Sequence, residues 1–153
     1  MVEKVIFGAG CFWGVEAAFC RVDGVTDTVV GYSGGTVPNP TYENVCGGKT
    51  GHAEVVEVMF DPDRVSFDTL LGVFWGCHDP TQLNRQGWDV GSQYRSCIFF
   101  QSPGQDEKAR ASMLQLQATG RVGGAIVTEI SPAAEFWRAE EYHQRYVEKQ
   151  GGH

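Results

Sequence analysis

The sequence predicts an α+β fold: a two-layer α/β sandwich with a ferredoxin-like core, its mixed sheet covered by helices. Three observations predict it. Short apolar runs of strand length are separated by stretches whose apolar residues recur at three- and four-residue spacing. These read, in order, roughly β-α-β-β-α-β-α-β-α, which a split β-α-β core accommodates. The 153 residues are expected to form one domain, 1–153, long enough to bury about 70% of its unfolded surface without staples.

Val5-Ile6-Phe7-Gly8-Ala9 is an apolar run that reads as a short buried strand. Phe12, Val15, Glu16 and Phe19 then recur at helical spacing, with Ala17 and Ala18 between them. Gly24 marks a turn, and Val25 to Tyr32 reads as a second strand. A long loop follows, from Ser33 to about Gly51, its path set by Gly34, Gly35, Pro38, Asn39 and Pro40. A loop of that length inside a compact domain is uncommon unless it is functional.

Glu54 to Asp61 is a strand with Val56, Val58 and Phe60 on one face. Ser66 caps a helix whose stripe, Phe67, Leu70, Leu71, Phe74 and Trp75, is plain core and stops at His78-Asp79-Pro80. A second irregular stretch, Thr81 to Arg95, leads into the strand Ser96 to Phe100. Ser102-Pro103-Gly104-Gln105 has capping-box spacing with proline at the first helical position, and its helix runs to Gly120. Ala125 to Ile130 is read as a last strand, and residues 138–149 as a last helix with Ala139, Tyr142, His143 and Tyr146 on one face.

A net charge of −7 argues against nucleic acid or an anionic membrane as partner. The chain opens into a strand without the apolar stretch of a signal peptide, and nothing approaches the ~18 apolar residues of a membrane helix. Five cysteines, at 11, 20, 46, 77 and 97, are odd in number and include no C-x-x-C pair. That usage suits free thiols in a reducing compartment, so a cytoplasmic monomer is expected.

The chemistry is expected around Gly10-Cys11-Phe12-Trp13-Gly14. Cys11 falls at a strand-to-helix junction, where unpaired backbone N–H groups and the positive end of the helix dipole face its sulfur. That position is expected to favour thiolate over thiol. For a lone cysteine in an apolar stretch a buried structural role is the ordinary reading, but the flanking glycines and aromatics shift the balance toward catalysis. Each irregular stretch offers a tyrosine near a carboxylate, Tyr42 with Glu54 and Tyr94 with Asp89. Taken alone, Asp89 in its glycine-flanked stretch Gly87-Trp88-Asp89-Val90-Gly91 is a turn residue. Glu54 opens a valine-rich strand, where desolvation favours the protonated carboxyl and lets it donate a proton near neutral pH. A nucleophilic sulfur, aromatic walls, a neutral acid and phenolic donors suit reduction of a small S=O group. Phe12 and Trp13 would hold an S-methyl group by sulfur–aromatic contact.

Gly10-Cys11-Phe12-Trp13-Gly14, Pro40-Thr41-Tyr42, Val45-Cys46, Gly51-His52-Ala53-Glu54, His78-Asp79-Pro80, Gln93-Tyr94-Arg95-Ser96 and Glu141-Tyr142-His143-Gln144 together resemble the A-type methionine sulfoxide reductases, over nearly the whole chain and in order. The resemblance implies a ferredoxin-like α/β fold and reduction of the S epimer of methionine sulfoxide, free or in proteins. It implies Cys11 as the nucleophile that becomes a sulfenic acid, Glu54 as the acid, Tyr42 and Tyr94 as donors to the oxygen, and Asp89 as support on the polar side. Phe12 and Trp13 would form the methyl pocket, while a structural role for His143 is at least as well founded as a functional one.

Many members carry a resolving cysteine in a glycine-rich C-terminal tail, and Gly151-Gly152-His153 offers none. Recycling is therefore expected from an external thiol, thioredoxin or glutaredoxin with glutathione, with no bound cofactor or metal. Cys20 is nine residues from Cys11, roughly 13 Å along one helix and beyond disulfide reach. Cys46, in the loop of Tyr42, is the best internal candidate for a resolving thiol. Two rival readings stand beside this one: a thiol peroxidase or cysteine hydrolase using Cys11, though no histidine is marked by spacing as its base, and a metal-binding module, though Cys77-His78 and Cys46 with His52 lack zinc-site spacing.

Overall fold

A computed structural model describes residues 2–150. In chain order the regular elements are β1 (Glu3–Ala9), α1 (Phe12–Cys20), β2 (Val25–Ser33), α2 (Tyr42–Cys46), β3 (Ala53–Phe60), α3 (Phe67–Gly76), β4 (Arg85–Gln86), β5 (Asp89–Val90), β6 (Ser96–Phe100), α4 (Pro103–Thr119), β7 (Glu129–Pro132), β8 (Phe136–Arg138) and α5 (Tyr146–Lys149). Short 3₁₀ turns cover Ser92–Tyr94 and Glu141–His143.

Six strands make one sheet in the order β7-β6-β1-β3-β2-β8. The middle four, each antiparallel to the next among them, are joined through α1 and α3 and form the expected ferredoxin-like core. β7 extends it in parallel with β6, and β8 extends it antiparallel to β2, which makes the sheet mixed.

Strand alternation sorts the core into two faces. Val5, Phe7 and Ala9 of β1, Val56 and Val58 of β3 and Ile98 of β6 meet Phe12, Val15 and Phe19 of α1 and the α3 stripe. Phe7 stacks on both Phe19 and Phe74, with ring centroids 4.8 and 5.1 Å away. On the opposite face Ile6, Val55, Cys97 and Phe99 are covered by Ala133 and Phe136, not by a helix. Ser66 and Ser102 cap α3 and α4 through the backbone N–H groups of Thr69 and Gln105, and α4 ends on Gly120 at φ 71°.

Two expectations are corrected. The strand expected over Ala125 to Ile130 lies at Glu129–Pro132, because Ile126 and Val127 give their N–H groups to the Gln117 side chain and the Pro80 carbonyl, and it is not the last, since β8 follows it. No single helix spans residues 138–149. The Gln144 amide pairs with both the N–H and the C=O of Val30, and the Arg145 N–H donates to Glu16 Oε1 at 2.7 Å. Those long-range bonds hold Arg145 in the left-handed region at φ 54° and split the segment into a 3₁₀ turn and α5. His143 is fully buried while Tyr142 is exposed, so the four residues share no face.

Among the described residues no helix is long and apolar enough to cross a membrane.

Candidate active site

Cys11 sits between the end of β1 and the start of α1, after Gly10 at φ 100°, a conformation open to glycine and costly for other residues. Glu54 belongs to the same alternating set as Val56, Val58 and Phe60, so its carboxyl continues an apolar stripe into the helix-covered face and is 1% exposed. The Phe12 N–H donates to Glu54 Oε1 at 3.3 Å, tying the first turn of α1 to the first turn of sheet in β3. Glu54 Oε2 is buried and has no hydrogen-bond partner. Burial, reinforced by the charge of Asp89, pushes the Glu54 carboxyl up to about 7, against the lowering effect of the Phe12 N–H.

Cys11 is pushed the opposite way from the expected thiolate. Burial raises its thiol to about 11, Glu54 and Asp89 add to the rise, and the Trp13 and Gly14 N–H groups oppose it without prevailing. The helix terminus supplies the stabilisation the sequence implied; desolvation and two carboxylates outweigh it.

Aromatic side chains build the remaining wall. Trp13 is half-buried, its ring stacked on Tyr146 at 3.9 Å, and its indole N–H donates to His143 Nδ1 at 2.9 Å. His143 therefore carries its proton on Nε2, which is buried without a partner. Burial lowers its pKa and keeps the ring neutral. The His143 ring also packs on Tyr42 at 4.4 Å and on Phe12 at 5.1 Å. Phe12 is wholly buried, so its ring backs the wall rather than facing the opening.

Tyr42 is brought in by α2, a single turn within the long loop, capped reciprocally by Thr41 and Asn44. Glu140 fixes it there: one carboxylate oxygen accepts from the Tyr42 N–H and the other from the Tyr32 hydroxyl, both at 2.9 Å. Tyr94 follows the hairpin β4–β5 in a 3₁₀ turn, and burial pushes its phenol up to about 12 with help from Glu54 and Cys46. Burial raises Tyr42 as well, with the neighbouring Cys46 contributing, so both phenols stay protonated donors. Asp89, on β5, is exposed, and its charge acts on Cys11, Glu54 and Tyr94 together.

Cys11, Glu54, Asp89 and Tyr94 thus lie close enough for their charges to act on one another, and the rings of Phe12, Trp13 and Tyr42 meet beside them. Cys46 is exposed at the end of α2, beside Tyr42. Cys20 lies elsewhere, its thiol 3.1 Å from the Thr28 hydroxyl near Glu16 and Arg145. Cys77 is tied to the Phe74 carbonyl, and Cys97 is buried in the sheet. Two contributors carry no signal in the sequence: Glu140, which joins Tyr32 to Tyr42, and Tyr32, whose phenol reaches across to it.

A family model described as peptide methionine sulfoxide reductase matches residues 3–153. The chain belongs to the peptide methionine sulfoxide reductase family. It is 63% identical over 151 residues to the peptide methionine sulfoxide reductase MsrA of Geobacter sulfurreducens, covering 99% of this chain and 93% of that protein. Methionine sulfoxide reductase A of Corynebacterium diphtheriae superposes with a TM-score of 0.90 at 43% identity, over 98% of this chain and 76% of the other. Mxr1 of Saccharomyces cerevisiae in reduced form superposes with a TM-score of 0.92 at 35% identity, over 98% and 86%. The same yeast protein in complex with Trx2 gives 0.67 at 26% identity, over 95% and 84%. The α+β fold with a mixed sheet is thus shared with these solved reductases.

The buried Glu54 couples this site to stability. Its carboxyl binds a proton more tightly in the folded chain than in the unfolded one, with pKa about 7 against 4.5. Its contribution is therefore most favourable below about 4.5 and is lost as pH rises through about 7, a cost of about 3 kcal/mol. Glu54→Gln cannot ionise. Urea unfolding should show the variant gaining about 3 kcal/mol on the parent chain between about pH 4.5 and about pH 8. A gap that is the same at both pH values would contradict the raised carboxyl.

Proposed function

We propose that the chain reduces the S epimer of methionine sulfoxide, free or within polypeptide, to methionine, through a sulfenic acid on Cys11. The observation that carries this reading is Glu54 Oε2, a buried, unpartnered oxygen of a carboxyl raised to about 7 and close enough to Cys11 to act on its thiol. A sulfoxide oxygen is an acceptor that such a carboxyl can protonate. Cys11, Glu54, Tyr42, Tyr94 and Asp89 are the catalytic set in this reading.

The substrate methyl lies against Trp13, backed by Phe12, by apolar and sulfur–aromatic contact. The sulfoxide oxygen accepts from the Tyr42 and Tyr94 hydroxyls and takes a proton from Glu54. The sulfoxide sulfur gains positive character, which stabilises the thiolate that the empty site disfavours. The Cys11 sulfur attacks it; a sulfur–sulfur bond forms and the S=O bond becomes S–OH. The hydroxyl passes to the Cys11 sulfur, and the sulfur–sulfur bond breaks with its electron pair on the substrate sulfur, releasing methionine. The proton lost by Cys11 returns to Glu54, replacing the one that ends on the sulfenic hydroxyl. The substrate sulfur gains two electrons and the cysteine sulfur loses two. Asp89 raises Glu54 by like charge and helps keep its proton in place.

An external dithiol, thioredoxin, or glutaredoxin with glutathione, then condenses with the sulfenic acid, losing water, and a second thiol frees Cys11. A family neighbour in complex with Trx2 supports this. So does the anchoring of Cys20 to Thr28 on the far end of α1. Cys46 is the candidate internal resolving thiol. Five free cysteines fit a reducing, cytoplasmic setting. A peroxidase or hydrolase reading gains nothing from the described histidines: His143 Nδ1 accepts from the Trp13 indole, His52 is bonded to Gly35 and Val37, and His78 to Phe74 and Ser96.

The reaction is tested by a stereochemically resolved assay on methionine sulfoxide with dithiothreitol. Activity on the S epimer should vanish in Cys11→Ser and fall by about 10²–10³ in kcat in Glu54→Gln. Reduction of the R epimer, or activity in the Cys11 variant, would contradict it. Recycling is tested separately. With Cys20 and Cys46 both replaced by serine, steady turnover with thioredoxin should persist, whereas a single turnover followed by arrest would make one of them the resolving thiol.

A further inference from the structure

The hairpin β4–β5 forms one side of the site and is firmly held. A Cβ on Gly10, the residue before Cys11, would sit 3.0 Å from Gln86 Cγ, so the hairpin lies directly on the nucleophile's turn. The Gln86 side chain accepts from the Asp79 N–H at 2.8 Å and donates to the Asp79 C=O at 2.9 Å. The Gly87 N–H donates to Gln82 Oε1, and the Gly91 N–H to the Asn84 carbonyl. Gln86 pairs with Asp89, leaving Gly87 and Trp88 as a two-residue turn with φ 59° at its glycine, the pattern of a type II′ hairpin.

This rigid support carries large apolar groups with nothing packed on them. Trp88 is 99% exposed, Val90 67% and Leu83 66%. Single exposed apolar residues are ordinary on a protein surface. Here three fall within eight residues, two of them directly flanking Asp89, whose charge reaches Cys11. The turn needs the glycine and the pairing but places no demand on an indole.

We infer that Trp88, with Val90 and Leu83, is a docking ridge for apolar residues that flank methionine sulfoxide in an unfolded polypeptide. The inference rests on the proposed reduction at Cys11 and names the substrate class it favours. Methionine is mostly a core residue of folded proteins, so the residues beside it in sequence are often apolar once the chain opens. A residue two or three positions from the sulfoxide reaches about 7–10 Å along an extended chain, and the hairpin that carries Trp88 lies against Gly10, the residue before Cys11. An exposed tryptophan on a preorganised hairpin suits that task, since little side-chain freedom is lost on contact. Trp88 and its two neighbours act on binding and take no part in the chemical step.

The test compares three substrates with dithiothreitol as reductant: N-acetylmethionine sulfoxide, a pentapeptide with methionine sulfoxide between leucines and phenylalanines, and the same peptide with serine flanks. The apolar peptide should exceed the serine peptide in kcat/KM by about tenfold, equivalent to about 1.4 kcal/mol. Trp88→Ser should remove that advantage through KM, leaving kcat and the N-acetylmethionine sulfoxide values unchanged. Equal kcat/KM for the two peptides in the parent chain overturns the ridge while leaving the reduction standing. A variant that treats both peptides normally but needs more thioredoxin in a coupled assay overturns it too, assigning the ridge to the reductant. Failure of the parent chain on N-acetylmethionine sulfoxide overturns the reduction itself and the ridge with it.

Discussion

Everything at the site depends on one carboxyl kept out of water. Glu54 occupies the position in β3 where strand alternation would put another valine, and the Phe12 N–H binds only one of its oxygens. The fold therefore bears the cost of desolvating an acid beside a thiol. In the proposed reduction that cost becomes chemistry, because the acid's pKa is moved to the range where a carboxyl both gives and takes a proton. Cys11 shows the same environment acting on the opposite partner. Burial, the larger influence, and the charges of Glu54 and Asp89 hold it as a thiol.

The aromatic wall is assembled from distant pieces of chain, and its precision comes from bonds that run between them. Glu140 joins the Tyr42 turn to β2, Gln144 fastens the same C-terminal segment to Val30, and Glu16 accepts from the Arg145 backbone. Between these anchors His143 and Tyr146 meet Trp13, one by a hydrogen bond and one by stacking. The segment thus forms a brace that sets the indole's plane. Breaking the brace would leave Cys11 in place and loosen the Trp13 indole, the surface that in the proposed reaction receives the substrate methyl.

Much of this was legible in the sequence, and the boundary is physical. β1, α1, β2, β3, α3, β6 and α4 are marked by their own periodicity or caps, because each buries a face against the same core. Glu54 stood out as a carboxyl at the head of a valine-rich strand, and the environment that raises it is largely that strand. The C-terminal segment was misread because Ala139, Tyr142, His143 and Tyr146 are spaced as a helix face, whereas Gln144 and Arg145 are held by residues more than a hundred positions away. The hairpin at Gln86-Gly87-Trp88-Asp89 carries a turn signal, but its strands are two residues each and too short to show alternation. The Cys11 thiolate was expected from local geometry alone, and the non-local charges of Glu54 and Asp89 are invisible to that reasoning.

The most direct measurement is the titration of the Glu54 carboxyl itself, followed by carbon-13 NMR of the glutamate-labelled protein and assigned by its loss in Glu54→Gln. A midpoint near 7 is the expected result. A midpoint near 4.5, the value of a glutamate in water, would mean that the carboxyl is solvated and charged at neutral pH, and the proton that the proposed mechanism draws on would not be there.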